Sequence, residues 1–261
     1  GDYKTILGAL ASHVGFNCNL TTKNKPLAEF FNQRDARIAM SLAINRDNIN
    51  QLVFNGLLTP RQYSPTKASP QYYEKLTNAY IKYDPDTANK MLDAAGYTKK
   101  DANGIRLYRD GSGPISFTIE ATNSIGGTDS DACNLMTKDL AKVGIQAAYK
   151  FVERSLYTQH YTSNDIEAGW FGADRAVLPL VPEAIIFRGV QPDRPWCPAW
   201  GFWYGNPSDP NAVKPPDGHW IYNIWKIWDE EIAIEPDPAK QNTAFKKLLD
   251  IWATELPFVS L

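Results

Sequence analysis

The sequence predicts an α/β fold, a mixed or parallel sheet flanked by helices, on three observations. Residues 115–152 read strand, helix, strand, the apolar period switching from two to about 3.6 and back. A right-handed crossover follows from such a unit. Capped helical patterns also recur between short alternating segments along most of the chain. Finally, 261 residues with 43% hydrophobic content suffice for a sizeable core.

The first strand is expected between His13 and Leu20, where Val14, Phe16, Cys18 and Leu20 alternate with His13, Gly15, Asn17 and Asn19. That period puts Asn17 and Asn19 on one face. The stretch QRDARIAMSLAI then places Ile38, Ala39, Leu42 and Ala43 on one side of a helix. Asn45 reads as the N-cap of a second helix that stops at Asn55 and Gly56. Residues 59–73, with three prolines and no apolar period, read as a long extended connection.

In YDPDTANKMLDAAGY, Asp84 is placed to cap a helix with Pro85 at its first position, Ala88, Met91, Leu92 and Ala95 on its buried face and Gly96 past its end. Ile115 to Thr122 alternates as a strand. Residues 129–143 repeat Ala132, Leu135, Met136 and Leu140 as a helix, and Gly144 stops it before the strand IQAAYKFV. A helix over 154–162 and a strand over 166–171 extend the layer. Helices are expected over 221–232 and 238–254, the latter capped by Asp237, before the strand-like LPFVSL.

All eight tryptophans lie between Trp170 and Trp252. Residues 189–218 combine Trp196, Trp200, Phe202, Trp203 and Tyr204 with many prolines and glycines, which reads as an aromatic-lined loop. Trp220, Trp225, Trp228 and Trp252 sit in helical patterns and read as core.

Several function classes lose ground. The charge, 27 Lys and Arg against 29 Asp and Glu, gives neither a nucleic-acid footprint nor a polybasic membrane patch. No apolar run reaches the roughly 18 residues of a spanning helix, and the first residues lack the order of a signal peptide. Cys18, Cys133 and Cys197 are too scattered for a disulfide framework or a CxxC site, so they read as small packed hydrophobes. His13, His160 and His219 lack metal-ligand spacing, and no metal or other cofactor is expected. No GxSxG, GxxxxGK[ST] or HExxH pattern occurs.

The order of motifs resembles the bacterial extracellular solute-binding proteins of family 5, receptors of ABC importers for oligopeptides, dipeptides and nickel. The matching pieces are GFNCNL, RDARIAMSLAINRDNINQLVFNG, YDPDTANKMLDAAGY, NGIRLYRDG, ISFTIEAT, DLAKVGIQAAYKFV, AGWFGAD and DPAKQNTAFKKLLDIWATELPFVSL. RDARIAMSLAINR and DPDTANKMLDAAG are the distinctive ones. The resemblance implies one lobe of a two-lobe, class II periplasmic-binding-protein-like fold, in a family about twice this long. Residues 1–232 then form the C-terminal ligand-binding lobe, and 233–261 a helix and strand returning toward a missing N-terminal lobe. The chain ending inside an apolar segment points the same way. A signal sequence or lipid anchor would lie in the missing half, and the setting would be extracytoplasmic.

The implied role is non-enzymatic: capture of a peptide-like solute in an interlobe cleft for delivery to permease subunits. An oligosaccharide is the alternative ligand, since indole faces suit sugar rings and WCPAWGFWYG resembles the subgroup that includes oligosaccharide receptors. In peptide-binding relatives an Asp three residues after the Trp of a GW motif pairs with the ligand ammonium. Gly169 and Trp170 match that motif, but the position holds Ala173 and the acid comes one residue later, at Asp174. Candidate ligand residues are Trp170, Asp174, Trp196, Trp200, Trp203, Tyr204, Arg188 and Asn17. For each there is a plainer reading: packing for the aromatic residues, a surface charge for Arg188, a solvent-facing strand amide for Asn17. A carbohydrate-active enzyme is a remote alternative, because Asp165 and Glu167 share a strand face at a spacing that glycoside hydrolysis allows.

Overall fold

The computed structural model describes residues 15–123, 125–172, 180, 184–190 and 194–261. Five strands form one mixed sheet in the order β3-β2-β4-β1-β5: β1 (Gly15–Cys18), β2 (Ser116–Ala121), β3 (Gln146–Phe151), β4 (Ala168–Phe171) and β5 (Phe258–Ser260). β2 is parallel to both β3 and β4, whereas β1 is antiparallel to β4 and β5. The predicted strand-helix-strand unit is thus β2, α6 (Thr128–Lys142) and β3, closed by Gly144 in the left-handed region at φ 82°.

The helices that precede it form where caps and apolar stripes coincide. α2 (Arg34–Ala43) buries Ile38, Ala39 and Ala43. α3 (Arg46–Phe54) starts where the Asn45 side chain accepts the Asn48 N–H and ends on Asn55 at φ 54°. α5 (Pro85–Ala94) starts where the Asp84 side chain accepts the Thr87 N–H and buries Ala88 and Leu92. Sequence periodicity did not flag α1 (Lys25–Asn32), which is too short to show a repeat but buries Leu27, Phe30 and Phe31. A single turn, α4 (Glu74–Thr77), interrupts the extended connection.

One face of the sheet carries the main core. Phe16 stacks on Phe117 at 5.7 Å between ring centroids, and Phe31 meets Phe117 edge-on at 5.1 Å. The opposite face is polar: Asn17 pairs with Gly169, and Glu120, 5% exposed, receives Lys150 at 3.2 Å and His160 Nδ1 at 2.7 Å. α7 (Arg154–Thr162), which carries His160, covers that face.

Two expectations are corrected. The segment read as an aromatic loop contains a helix, α8 (Pro198–Gly205), with Pro198 at its first position; helix geometry brings Trp200, Trp203 and Tyr204 onto packed faces. Gly201 makes this approach possible, since a Cβ there would lie 2.3 Å from the Gly189 carbonyl oxygen. The helix expected over 221–232 is α9 (Ile221–Ile227) followed by a π-helical turn, Trp228–Ile232. The helix and strand expected within residues 233–261 are α10 (Pro238–Glu255) and β5, and Phe245, Leu248 and Trp252 of α10 are buried. Cys18, Cys133 and Cys197 are free and buried.

Candidate functional site

In open α/β sheets, ligands bind outside the carboxyl ends of parallel strands, where backbone leaves the sheet and side chains converge. Here those ends are Ala121, Phe151 and Phe171, and the rim continues to Gly15 and Ser260 through the register Phe171↔Gly15↔Ser260. Three apolar residues stand exposed along it by chain position: Ile125 beyond β2, Phe151 closing β3 and Leu156 in the first turn of α7, at 77, 43 and 40%.

Phe171 is the centre of this rim. The Arg194 guanidinium lies 4.7 Å from its ring centroid and that of Arg154 lies 5.2 Å from it, with Tyr157 at 6.2 Å. Arg194 is 4% exposed and donates through Nη2 to the Gly172 carbonyl. Arg154 is exposed at the start of α7, whose N-cap carboxylate, Glu153, accepts from the Ser155 N–H at 2.7 Å and from the Ser155 hydroxyl. Those two hydrogen bonds hold the Glu153 carboxyl below its ordinary range.

The candidate residues named from sequence are dispersed by the fold. Trp170 is fully buried on the core face of β4, paired in register with Phe16 and Ala121, so its ring offers no free face; its Nε1 has no hydrogen-bond partner. Asn17, one residue along β1 from Phe16, points to the other side. It is also fully buried, and its side-chain N–H donates to the Gly169 carbonyl at 3.3 Å, so it is not a solvent-facing amide. Trp196 is fully buried, stacked on Trp220 at 5.8 Å, and its Nε1 donates to the Ile186 carbonyl. Trp200, 5% exposed, packs on His219 at 4.5 Å. All four are buried, and Trp196 also meets Trp252 of α10 edge-on at 5.6 Å.

Arg188, Trp203 and Tyr204 are brought together, half-buried. Tyr204 stacks on Trp225 at 4.6 Å, its hydroxyl donates to Asp229, and Trp203 lies 6.1 Å from Trp225. Burial pushes the Tyr204 hydroxyl up to about 12. The Arg188 guanidinium sits 4.3 Å over Trp228, and its carbonyl accepts from Trp225 Nε1. Asp174, three residues past Phe171, lies outside the described residues.

Sequence reading did not single out Arg154, Arg194, Ile125, Phe151 or Leu156. The one signal was the Phe151-Val152 doublet, which breaks strand alternation and forces an apolar side chain outward. Asp165 and Glu167 show no catalytic arrangement: Asp165 pairs with Lys23 at 2.6 Å, and Glu167 accepts from the Thr118 N–H at 2.9 Å. Among the described residues no group of three His, Cys, Asp or Glu side chains is placed to hold a metal ion.

A mixed sheet with helices on both faces is the architecture of a periplasmic-binding-protein-like fold. The sequence profile of the bacterial extracellular solute-binding proteins, family 5 (middle region) matches residues 3–179. The chain belongs to this family. A Brucella ovis protein named "Putative ABC transporter peptide-binding protein" is 27% identical over 264 residues, covering 95% of this chain and 40% of that protein. The chain therefore spans about 40% of the length of such curated relatives. The solved structure of an oligopeptide-binding protein, OppA, is 30% identical with a TM-score of 0.86, over 97% of this chain and 41% of its own. The oligopeptide-binding protein AppA from Bacillus subtilis, solved with a nonapeptide, shares the fold at 17% identity and a TM-score of 0.71, over 97% of this chain and 45% of its own.

Proposed function

We propose that this chain is the solute-contacting lobe of an extracytoplasmic ABC-importer binding protein, and that its solute is peptide-like. Family membership, with a fold match of 0.86 to an oligopeptide-binding protein at 30% identity, is the observation that carries the reading. A binding protein of this type holds a solute against one lobe, closes a second over it and presents the closed form to permease subunits; no bond is broken. The second lobe would come from the rest of the gene product.

The ligand wall in this reading is the carboxyl rim around Phe171, continuing into the segment that carries Asp174, which would pair with a peptide ammonium. A peptide suits this rim better than a sugar. Sugar stacking needs open indole faces, whereas Trp170 and Trp196 are fully buried and Tyr204 is already stacked on Trp225.

The test is mass spectrometry of solutes released by denaturing the purified full-length gene product, wild type beside Asp174→Ala. A peptide pool that falls in the variant supports the reading. A released oligosaccharide, equal in both, would replace the peptide with a sugar.

A further inference from the structure

The end of α3 holds apolar side chains in the open. Of its nine residues only Arg46 and Ile49 are buried, and Leu52, Leu57 and Leu58 stand 66, 68 and 39% exposed. No residue from Asn48 to Pro60 is charged, although 21% of the chain is. A helix face turned to water ordinarily carries charged residues, so this is not the composition of a solvated surface. The leucine pair is also fixed by the fold. Asn55 and Gly56 turn the chain back at φ 54° and 71°, and the Leu57 N–H donates to the Phe54 carbonyl at 3.0 Å. The Asn50 side chain accepts the Leu58 N–H at 3.1 Å and donates to the Leu58 carbonyl at 2.7 Å. Ile49, Phe54, Leu58, Pro60 and Leu261 line a small crevice beside it.

The register Phe171↔Gly15↔Ser260 puts Leu261, which follows Ser260, at the same end of the sheet as the carboxyl ends of β2, β3 and β4. The crevice therefore flanks the rim that serves as ligand wall in the proposed function. We propose that the surface of Leu52, Leu57 and Leu58 is covered, in the full-length gene product, by the second lobe that closes over this rim. This rests on the proposed function and adds the surface that the two lobes share. More than half the length of the curated relatives lies outside the span matched by this chain, which is ample to cover it. The absence of charge favours this occupant. A separate protein is recruited through complementary charges, whereas a lobe of the same chain is held at high effective concentration and needs none. An anionic membrane surface is bound through basic residues, and 48–60 holds no Lys or Arg. Strand pairing with a second copy is not served either, because Gln62 and Arg46 already occupy the Ser260 edge of β5.

The experiment is thiol labelling of the full-length gene product carrying Leu52→Cys or Leu57→Cys, beside Val213→Cys and Ile234→Cys, whose positions are exposed on other segments. Cys18, Cys133 and Cys197 are buried and add little background. With N-ethylmaleimide at pH 7 and peptide mass spectrometry as the readout, the Leu52 and Leu57 variants should label at least about tenfold more slowly than the two controls, the result for a surface covered about 90% of the time. Each variant is labelled as purified and again after denaturing dialysis and refolding, which removes bound solute. Protection lost with the solute marks a surface that the lobes share only on closure, and protection kept marks a standing contact; either supports the proposal. Labelling at the control rate in both states overturns it. So does protection that grows with protein concentration, which would assign the surface to a second copy. Hydroxyl-radical footprinting of wild type reads Leu52, Leu57 and Leu58 without any substitution, and modification of all three as fast as Val213 and Ile234 would overturn the proposal equally. If no solute is released on denaturation, the solute-binding reading falls, whereas the labelling rates still decide whether the surface is covered.

Discussion

Gln62 closes the sheet edge at Ser260. Its side-chain carbonyl accepts the Ser260 N–H at 3.0 Å, while its amide N–H donates to Ser41 Oγ and to the Ala79 carbonyl, both at 2.8 Å. Arg46 Nε donates to the Ser260 carbonyl at 2.8 Å. β5 is an edge strand, and exposed edges invite pairing with other chains. Here two side chains from a proline-rich connection and a helix start take the place of a sixth strand.

Replacing Gln62 with Leu leaves the Ser260 N–H without its side-chain acceptor and takes one hydrogen bond each from Ser41 Oγ and the Ala79 carbonyl. Unfolding in urea should show a loss of about 2–3 kcal/mol, with the midpoint lowered and the slope unchanged. An unaltered midpoint would mean that water replaces the amide without cost.

Gly201→Ala tests the docking of α8. An alanine ordinarily stabilises a helix interior by about 1 kcal/mol, but here the added methyl would meet the Gly189 carbonyl at 2.3 Å. Overpacking against backbone costs about 1–3 kcal/mol, so the net change should be destabilising. A raised thermal midpoint would show that α8 can shift away from residue 189 freely.

His219 predicts a pH dependence. Burial lowers its pKa from 6.5 to about 4, and its Nδ1 accepts the Ile221 N–H at 3.2 Å, as only the neutral ring can. The unfolded chain therefore binds the proton more readily. Stability from this group is complete above pH 6.5 and is lost as pH falls toward 4. Because the ring is partly exposed, the loss should be about 1–2 kcal/mol after solvent screening. Denaturation of wild type and His219→Gln at pH 7 and pH 4.5 measures it, since the variant should lack this part of the slope.

The three thiols should be silent. Burial raises the pKa of Cys18, Cys133 and Cys197, and only the thiolate reacts quickly. A thiol reagent at pH 8 should label none in the native protein and all three once guanidinium unfolds it. Rapid native labelling of one thiol would locate a local opening there.

The sequence by itself determined the local elements and their class. Capping at Asp84, the stop at Gly144 and the alternation of Ile115 to Thr122 each depend on residues within one turn or strand, so near neighbours are enough to read them. Family membership was also legible, because the motifs keep their order along the chain. Only the tertiary structure decided which aromatic residues face solvent. Alternation says that Trp170 and Asn17 lie on opposite faces of a strand, but not that helices cover both, which buries them alike. The segment from 198 to 205 became a helix because docking against Gly189 and α9 outweighs its weak intrinsic preference. The meeting of Arg154 and Arg194 at Phe171 was invisible beforehand for the same reason: it joins positions whose proximity comes from chain crossings far apart in sequence, and no local pattern encodes such a distance.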